Sequence, residues 1–254
     1  MLQTNFDLSR INMEFELAKQ VQTRLLPQQP PIVGGLDIWA GLRSAIHIGG
    51  DFYDFFTDCN HHFIFLVGDI SGKGMSAAMM MPMTRLAIRT SMGFPGDCTP
   101  EDIISRSNHN LYEDYTTTDI FASIFVASYD PDSRGLIYAN AGQSPVIFCP
   151  VGGGPVFLEA DDAPMGVHPQ SMAKNHFLQL HPGDVLIAGT DGLIDCHYPG
   201  ESLKLSYDRL LWKTRQLASY HASAIAESLF NPPVSLHHSA NQDDDQTLVV
   251  IKCV

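Results

Sequence analysis

FIFLVGDISGKG, residues 63–74, poses the question on which the fold turns. An unbroken apolar run, Phe63 to Val67, ends on Gly68 and Asp69, and glycine and lysine then take three of the next five positions. A strand, a sharp glycine-rich turn and a helix from about Met75 can present a phosphate site. The same arrangement can hang one carboxylate over a pocket to hold a metal. The Walker pattern required by the first option fails, because the residue five before Gly72 is Val67 rather than glycine.

Three other segments share this grammar. LIAGTDGL (186–193) puts Asp191 after an apolar strand, again followed by glycine, Gly192. NQDDDQTLVVI (241–251) sets Asp243, Asp244 and Asp245 just before another strand. HIGGDFYDF (47–55) places Asp51 behind Gly49 and Gly50, with Asp54 close after. Taken singly, an aspartate at a strand end is most often a turn former or a helix cap, and a DDD run is usually a solvated loop. Taken together they pose an electrostatic problem. Two carboxylates ~5 Å apart at an effective dielectric of ~20 repel by roughly 3 kcal/mol. Four converging carboxylates therefore need protons or cations. An all-oxygen set suits Mg²⁺ or Mn²⁺, and His47 is the only histidine in these segments, so zinc is less natural.

The totals narrow the class. A chain of 254 residues can bury a sizeable core. Its net charge of −13 and the lack of a basic run argue against nucleic acid as a partner. Five scattered cysteines, none in a CxxC pair, argue against a disulfide framework or zinc knuckle and point to a reducing cytoplasm. No signal peptide is visible, and no apolar run approaches the ~20 residues of a membrane helix. There is no HExxH and no GxSxG, and Ser71 and Ser76 lack a recognisable base. Adjacent histidines 61 and 62, like 237 and 238, read as surface residues, and methionines 79, 80, 81 and 83 as core filling.

Leu8, Ile11, Phe15, Ala18, Gln22 and Leu25 fall at heptad spacing, which predicts a helix over 7–26 that Pro27 stops. It packs on its own domain or serves as a dimerising, signal-transmitting element. Residues 1–26 are thus set apart from a domain over 27–254. Beyond Pro31, eight short β-branched or aromatic runs predict strands: 36–42, 61–67, 120–129, 135–141, 145–149, 176–180, 184–189 and 247–252. DPDSRG (130–135) predicts a hairpin, and HPGD (181–184) predicts another. VGGGP (151–155) is a loop between strands. Helices are expected over 76–92, kinked at Pro82, from Thr99–Pro100–Glu101 onward, and over 207–230, the last in one or two pieces. Many antiparallel strands with few crossover helices indicate an α+β fold.

The order of the pieces adds a resemblance. LLPxxPP, GGDFYDF, GDISGKG, ANAGxxP, APMGV, LxPGD, GTDGL and DDQTLVVI follow one another from about Glu14 to Lys252. This resembles the PPM (protein phosphatase 2C-like) metal-dependent serine/threonine phosphatases, in their bacterial SpoIIE/RsbU branch. The resemblance implies a four-layer α-β-β-α sandwich of two antiparallel sheets with metals at one edge. It implies that Asp69 bridges two Mn²⁺ or Mg²⁺ ions, that Asp51 and the backbone carbonyl of Ile70 hold one, and that Asp191 and Asp244 complete the other. Gly50, Gly72, Lys73, Gly74, Gly192 and Asp245 support them. It further implies direct hydrolysis of phosphoserine or phosphothreonine by an activated water, with no protein nucleophile.

Substrates of this branch are often small anti-sigma antagonists, and the N-terminal helix often connects to a sensor or receiver domain. Three departures stand out. Relatives' AGHNP is AGQSP here (141–145), and TDGLTEA is TDGLIDC (190–196). The histidine that eukaryotic members carry two residues after the bridging aspartate is Ser71 here. A catalytically weak docking module would be favoured by loss of an acidic ligand, and none is lost. A two-metal hydrolase of nucleotides or nucleic acid would want a basic channel, which the charge balance opposes.

Overall fold

The computed structural model describes residues 2–45, 47–92, 98–197, 203–230 and 244–254. Two five-stranded antiparallel sheets form its centre. The first has the order β1 (Leu36–Arg43), β10 (Gln246–Cys253), β9 (Val185–Gly189), β6 (Val146–Cys149), β7 (Val156–Phe157). The second runs β2 (Phe52–Thr57), β3 (Phe63–Ile70), β4 (Ala122–Tyr129), β5 (Gly135–Ala141), β8 (His176–Gln179).

Three apolar layers show how the elements stack. Successive side chains of a strand point to opposite faces. In β3, Phe63, Phe65 and Val67 join Phe125, Phe148, Leu186 and Val249 between the two sheets. Ile64, Leu66 and Ile70 face the other way, onto Met81 and Ile88 of α2 (Met75–Ser91) and Ile104 and Leu111 of α3 (Pro100–Thr118). On the far side, Ile147, Ile187, Leu248 and Val250 pack against α4 (Gly192–His197), α5 (Leu203–Leu217) and α6 (Ala222–Phe230) through Leu193, Leu210, Ile225 and Leu229. A strand buried on both faces has no polar side, which is why FIFLV reads as an unbroken apolar run. The layers are helix, sheet, sheet, helix: the expected α-β-β-α sandwich.

Most predicted elements are present. Thr99 caps α3 in a full capping box with Asp102, and Pro100 takes the first turn. Helix α2 continues through Pro82. The 207–230 helix is two, α5 and α6, and begins earlier than expected. DPDSRG closes the β4–β5 hairpin, with the Asp130 N–H donating to the Gly135 carbonyl at 2.9 Å.

HPGD is a turn but not a hairpin. It leads from β8 in one sheet to β9 in the other, so the strands it joins do not pair. Strand β2 was hidden because Asp54 interrupts its apolar pattern. Strand β7 has only two residues and helix α4 only six, too short for a period to show. The methionines divide. Met80 and Met81 are buried, whereas Met79 and Met83, four residues apart on the opposite face, are 66% and 43% exposed. His61 is exposed and His62 half-buried, while 237 and 238 lie outside the described residues.

Helix α1 (Leu2–Leu25) begins earlier than the heptad stripe predicts. Phe15, Ala18 and Gln22 are half-buried, while Ile11, Met13, Leu17 and Val21 are exposed. None of the described helices is long and apolar enough to cross a membrane.

Candidate metal centre

The five ligand positions named from the sequence come from both sheets and meet at one edge of the sandwich. Asp51 precedes β2, Asp69 and Ile70 end β3, Asp191 follows β9, and Asp244 precedes β10. β9 and β10 are adjacent strands of one sheet, β2 and β3 of the other.

Backbone packing pulls them into two groups. A Cβ at Gly50 would lie 2.7 Å from the Ile70 carbonyl oxygen, so only glycine lets the chain bring Asp51 alongside that carbonyl. A Cβ at Gly192 would lie 1.9 Å from the Asp245 carbonyl oxygen, so glycine again lets the Asp191 turn rest on residues 244 and 245. Gly72 and Gly74 have open space around them and are needed for another reason. Their φ values of +92° and +72° turn the chain between Asp69 and α2 in a region other residues avoid.

Electrostatics tie the two groups together. Asp51 is 4% exposed, and its pKa is pushed well above the usual carboxylate value, by burial first and then by the charge of Asp69. Asp69 is pushed up to about 7 by burial, then by Asp191, with Asp244 and Asp245 adding to it and a hydrogen bond with Asp51 opposing. Asp245 is raised as well, chiefly by burial. Such coupling requires that these carboxylates lie within electrostatic reach of one another, Asp51 and Asp69 buried and Asp191 and Asp244 toward solvent.

The protein supplies protons to several of these oxygens. Asp51 Oδ2 accepts from Thr190 Oγ1 at 2.7 Å and from Thr247 Oγ1 at 2.8 Å. Both threonines are fully buried, and the Thr247 N–H donates to Thr190 Oγ1 at 2.9 Å. Lys73 Nζ lies 2.8 Å from Asp244 Oδ2. Asp245 accepts from the Ala45 N–H at 2.8 Å and the Gly50 N–H at 3.1 Å, which anchors the loop leading to Asp51. Ser71 is tied to Phe121 by a pair of 2.8 Å bonds, one of them the Phe121 N–H donating to Ser71 Oγ. Asp243 lies outside the described residues, and Asp54 turns away from this edge.

Among the described residues, no three histidine, cysteine, aspartate or glutamate side chains already stand at the spacing of a ligated cation. The donor set nevertheless fits a hard divalent ion: oxygens only, the carboxylates of Asp51 and Asp69 raised by burial and by neighbouring negative charge, and a backbone carbonyl beside Asp51. Asp51, Asp69, Asp191, Asp244 and the Ile70 carbonyl are the groups that could hold it.

Sequence reasoning missed Thr190, Thr247 and Gln143. The threonines sit inside GTDGL and DDQTLVVI, directly beside named aspartates or two residues away, and a buried hydroxyl next to a carboxylate was the available signal. Gln143 carried a signal as well, as the glutamine of AGQSP.

Comparison with known proteins agrees with the geometry. The family model described as Stage II sporulation protein E (SpoIIE) matches residues 60–254. The chain is 26% identical over 243 residues to the phosphoserine phosphatase RsbU of Bacillus subtilis, covering 95% of this chain and 70% of RsbU. It is 29% identical over 211 residues to protein IcfG of Synechocystis sp., covering 74% of this chain and only 33% of IcfG. The chain therefore spans about a third of one of these relatives. In fold it is similar to the SiaA-PP2C domain of Pseudomonas aeruginosa, with a TM-score of 0.82 at 20% identity over 98% of this chain and 99% of that one. With a family model matched over most of its length and the α-β-β-α sandwich in place, the chain belongs to the SpoIIE family of PP2C-type phosphatase domains.

Proposed function

We propose that the chain is a metal-dependent phosphoprotein phosphatase that hydrolyses phosphoserine or phosphothreonine on a small regulatory protein. One observation carries the reading: four aspartates from two sheets share one edge, and burial, with the charges of Asp191, Asp244 and Asp245 adding to it, lifts Asp69 to a pKa of about 7. That is the electrostatic state a site for divalent cations relieves. Two Mn²⁺ or Mg²⁺ ions bound there would supply an acidified water and screen the phosphoryl charge.

The chain's own residues do the rest. Thr190 and Thr247 orient the Asp51 carboxylate. Asp245 holds the Asp51 loop through the Ala45 and Gly50 amides. Lys73, more than half exposed on the rim, brings positive charge to the mouth of an otherwise acidic site. Ser71 Oγ accepts from the Phe121 N–H, which fits a structural place in the turn rather than a nucleophile's.

The resemblance to the SpoIIE/RsbU branch implies an anti-sigma-antagonist type of substrate and a sensor or receiver domain acting through α1, and the likeness to a phosphoserine phosphatase supports phosphoserine as the group removed. The exposed Ile11, Met13, Leu17 and Val21 of α1 support a homodimer through that helix. An acidic chain without a membrane-crossing helix among its described residues supports a cytoplasmic setting.

The test is phosphate release from p-nitrophenyl phosphate and a phosphoserine peptide with Mn²⁺, Mg²⁺ or EDTA, for wild type and Asp69→Asn. Turnover that requires metal and disappears in the variant is expected. Equal turnover in EDTA, or an active Asp69→Asn, would overturn the proposal. Calorimetric Mn²⁺ binding by an inactive wild type would mark a switched-off phosphatase rather than a docking module.

A further inference from the structure

The ligand groups are divided between two sheets, so whatever sets the distance between those sheets at this edge also sets the geometry of the site. Gln143 lies in that position. It is 2% exposed and follows β5, in the loop before β6. Its Oε1 accepts from Ser123 Oγ at 2.8 Å, on β4 of one sheet. Its Nε2 donates to the Gly189 carbonyl at 2.6 Å, at the end of β9 in the other sheet.

Both anchor points adjoin predicted ligands. Ser123 is directly opposite Asp69 in the β3–β4 register. Gly189 lies two residues before Asp191 and one before Thr190, whose hydroxyl holds Asp51. The glutamine itself is fixed in place. Its N–H donates to Asn140 Oδ1 at 2.8 Å, and Asn140 Nδ2 donates to the Gln143 carbonyl at 3.0 Å and the Leu158 carbonyl at 2.9 Å. Asn140 is fully buried.

We propose that Gln143 is a positioning residue that sets the spacing of the two sheets at the metal edge and thereby controls the ion shared between them. This rests on the two-ion reading above. In that reading Asp69, Asp191 and Asp244 hold one ion across the sheets, whereas Asp51, Asp69 and the Ile70 carbonyl hold the other from one sheet. A primary amide suits the task because it donates at one end and accepts at the other without changing protonation. An imidazole, as in AGHNP, has a shorter reach and titrates near neutral pH. Loss of the bridge therefore weakens the cross-sheet ion selectively.

The experiment is calorimetric titration with Mn²⁺ alone, at one pH, on the full chain. It compares wild type, Gln143→Leu, Ser123→Ala and Ile225→Ala, the last a core change in the outer helix layer, on α6, which carries none of the proposed ligands. Wild type should take up two ions. Gln143→Leu should keep one at unchanged affinity and bind the other roughly tenfold or more weakly, the usual size of an effect on the groups that orient metal ligands. Ser123→Ala should show the same selectivity to a smaller degree, and carries the test if Gln143→Leu does not fold. Ile225→Ala should lower the melting temperature and leave both ions in place. Gln143→Leu binding both ions as wild type does, or Ile225→Ala reproducing its loss, overturns the role of Gln143 alone. A wild-type chain that takes up no Mn²⁺ overturns the metal reading, and this inference with it.

Discussion

Gln22 holds Gly49 by both its backbone N–H and its carbonyl. The amide Nε2 of Gln22 donates to the Gly49 carbonyl at 2.8 Å, and Oε1 accepts the Gly49 N–H at 3.1 Å. Two residues later comes Asp51. Beside this pair, His47 Nδ1 meets Glu16 Oε1 at 2.7 Å, and its ring stacks on Phe15 at 5.8 Å. The loop that carries Asp51 is thus suspended between α1 on one side and the carboxylate of Asp245 on the other.

Gln22→Ala removes both bonds from a site half open to water. The stability cost should be small, about 1 kcal/mol. The effect on the site should be larger in proportion, because on the α1 side the loop then keeps only the contacts of His47 with Glu16 and Phe15. We expect Mn²⁺ affinity to fall severalfold while the urea midpoint barely moves. Deleting residues 1–26 should give the same loss of affinity. Unchanged affinity, activity and association state in the deletion would show that α1 has no hold on the metal edge.

Asp54 gives the second prediction. It is fully buried in β2, and two arginines of α2 close on it: Arg85 Nε at 2.7 Å, and Arg89 through Nε at 2.9 Å and Nη2 at 3.0 Å. Asp54→Asn keeps the shape and removes the charge that balances two guanidinium groups. Breaking a buried pair from one side costs about 3–5 kcal/mol. Arg89→Ala should cost far less, because its side chain is 42% exposed and Arg85 still faces the carboxylate. Urea unfolding checks the order. Equal losses in the two variants would mean that burial of Asp54 is not what makes the pair costly to break.

This pair also shows where the sequence was legible and where it was not. Strand β3 and the turn at Gly72 and Gly74 were legible because burial on both faces and positive φ each leave a local signature. Strand β2 was not, because its buried aspartate is paid for by arginines more than thirty residues away. The ligand aspartates could be named from motif order, since each sits at a strand end, three of them beside glycine and Asp244 within a run of aspartates. Their convergence could not be derived that way: which strands neighbour one another depends on pairing such as β1 with β10, across two hundred residues of chain. The HPGD turn failed for the same reason. A turn is local, but whether its strands pair or part into different sheets is decided by the whole topology.

The raised pKa of Asp69 makes a prediction about pH. In the unfolded chain this carboxyl ionises near its ordinary value of 3.8, and in the folded metal-free chain near 7. The folded state therefore holds the proton more tightly between those values. Its stabilising effect is complete below about pH 4 and is lost as pH rises through 7. The shift sets an upper limit of about 4 kcal/mol, less where neighbouring carboxylates share the proton. Melting in EDTA should therefore move down between pH 5 and pH 8, by about 2–4 °C per kcal/mol in a domain of this size. With Mn²⁺ present the trend should reverse, because protons and cations compete for the same oxygens. A melting temperature in EDTA that stays flat over this range would remove the electrostatic basis for the metal centre.

Lys73 separates two roles that a lysine in this turn can have. Its ammonium lies 2.8 Å from Asp244 Oδ2, with both side chains partly exposed to solvent. A cation taken up by Asp244 must compete with that ammonium. The lysine is also the positive group on the rim that an incoming phosphate would meet. Lys73→Met keeps most of the stem and removes the charge. If the lysine serves the phosphate, the variant should bind Mn²⁺ severalfold more tightly while its KM for a phosphoserine peptide rises and the melting temperature stays within a few degrees. Calorimetry and steady-state kinetics on one preparation measure both. Weaker Mn²⁺ binding with unchanged KM would assign Lys73 to holding the turn instead. The opposite signs of the two effects are what make the variant informative, because simple loss of structure lowers both affinities together.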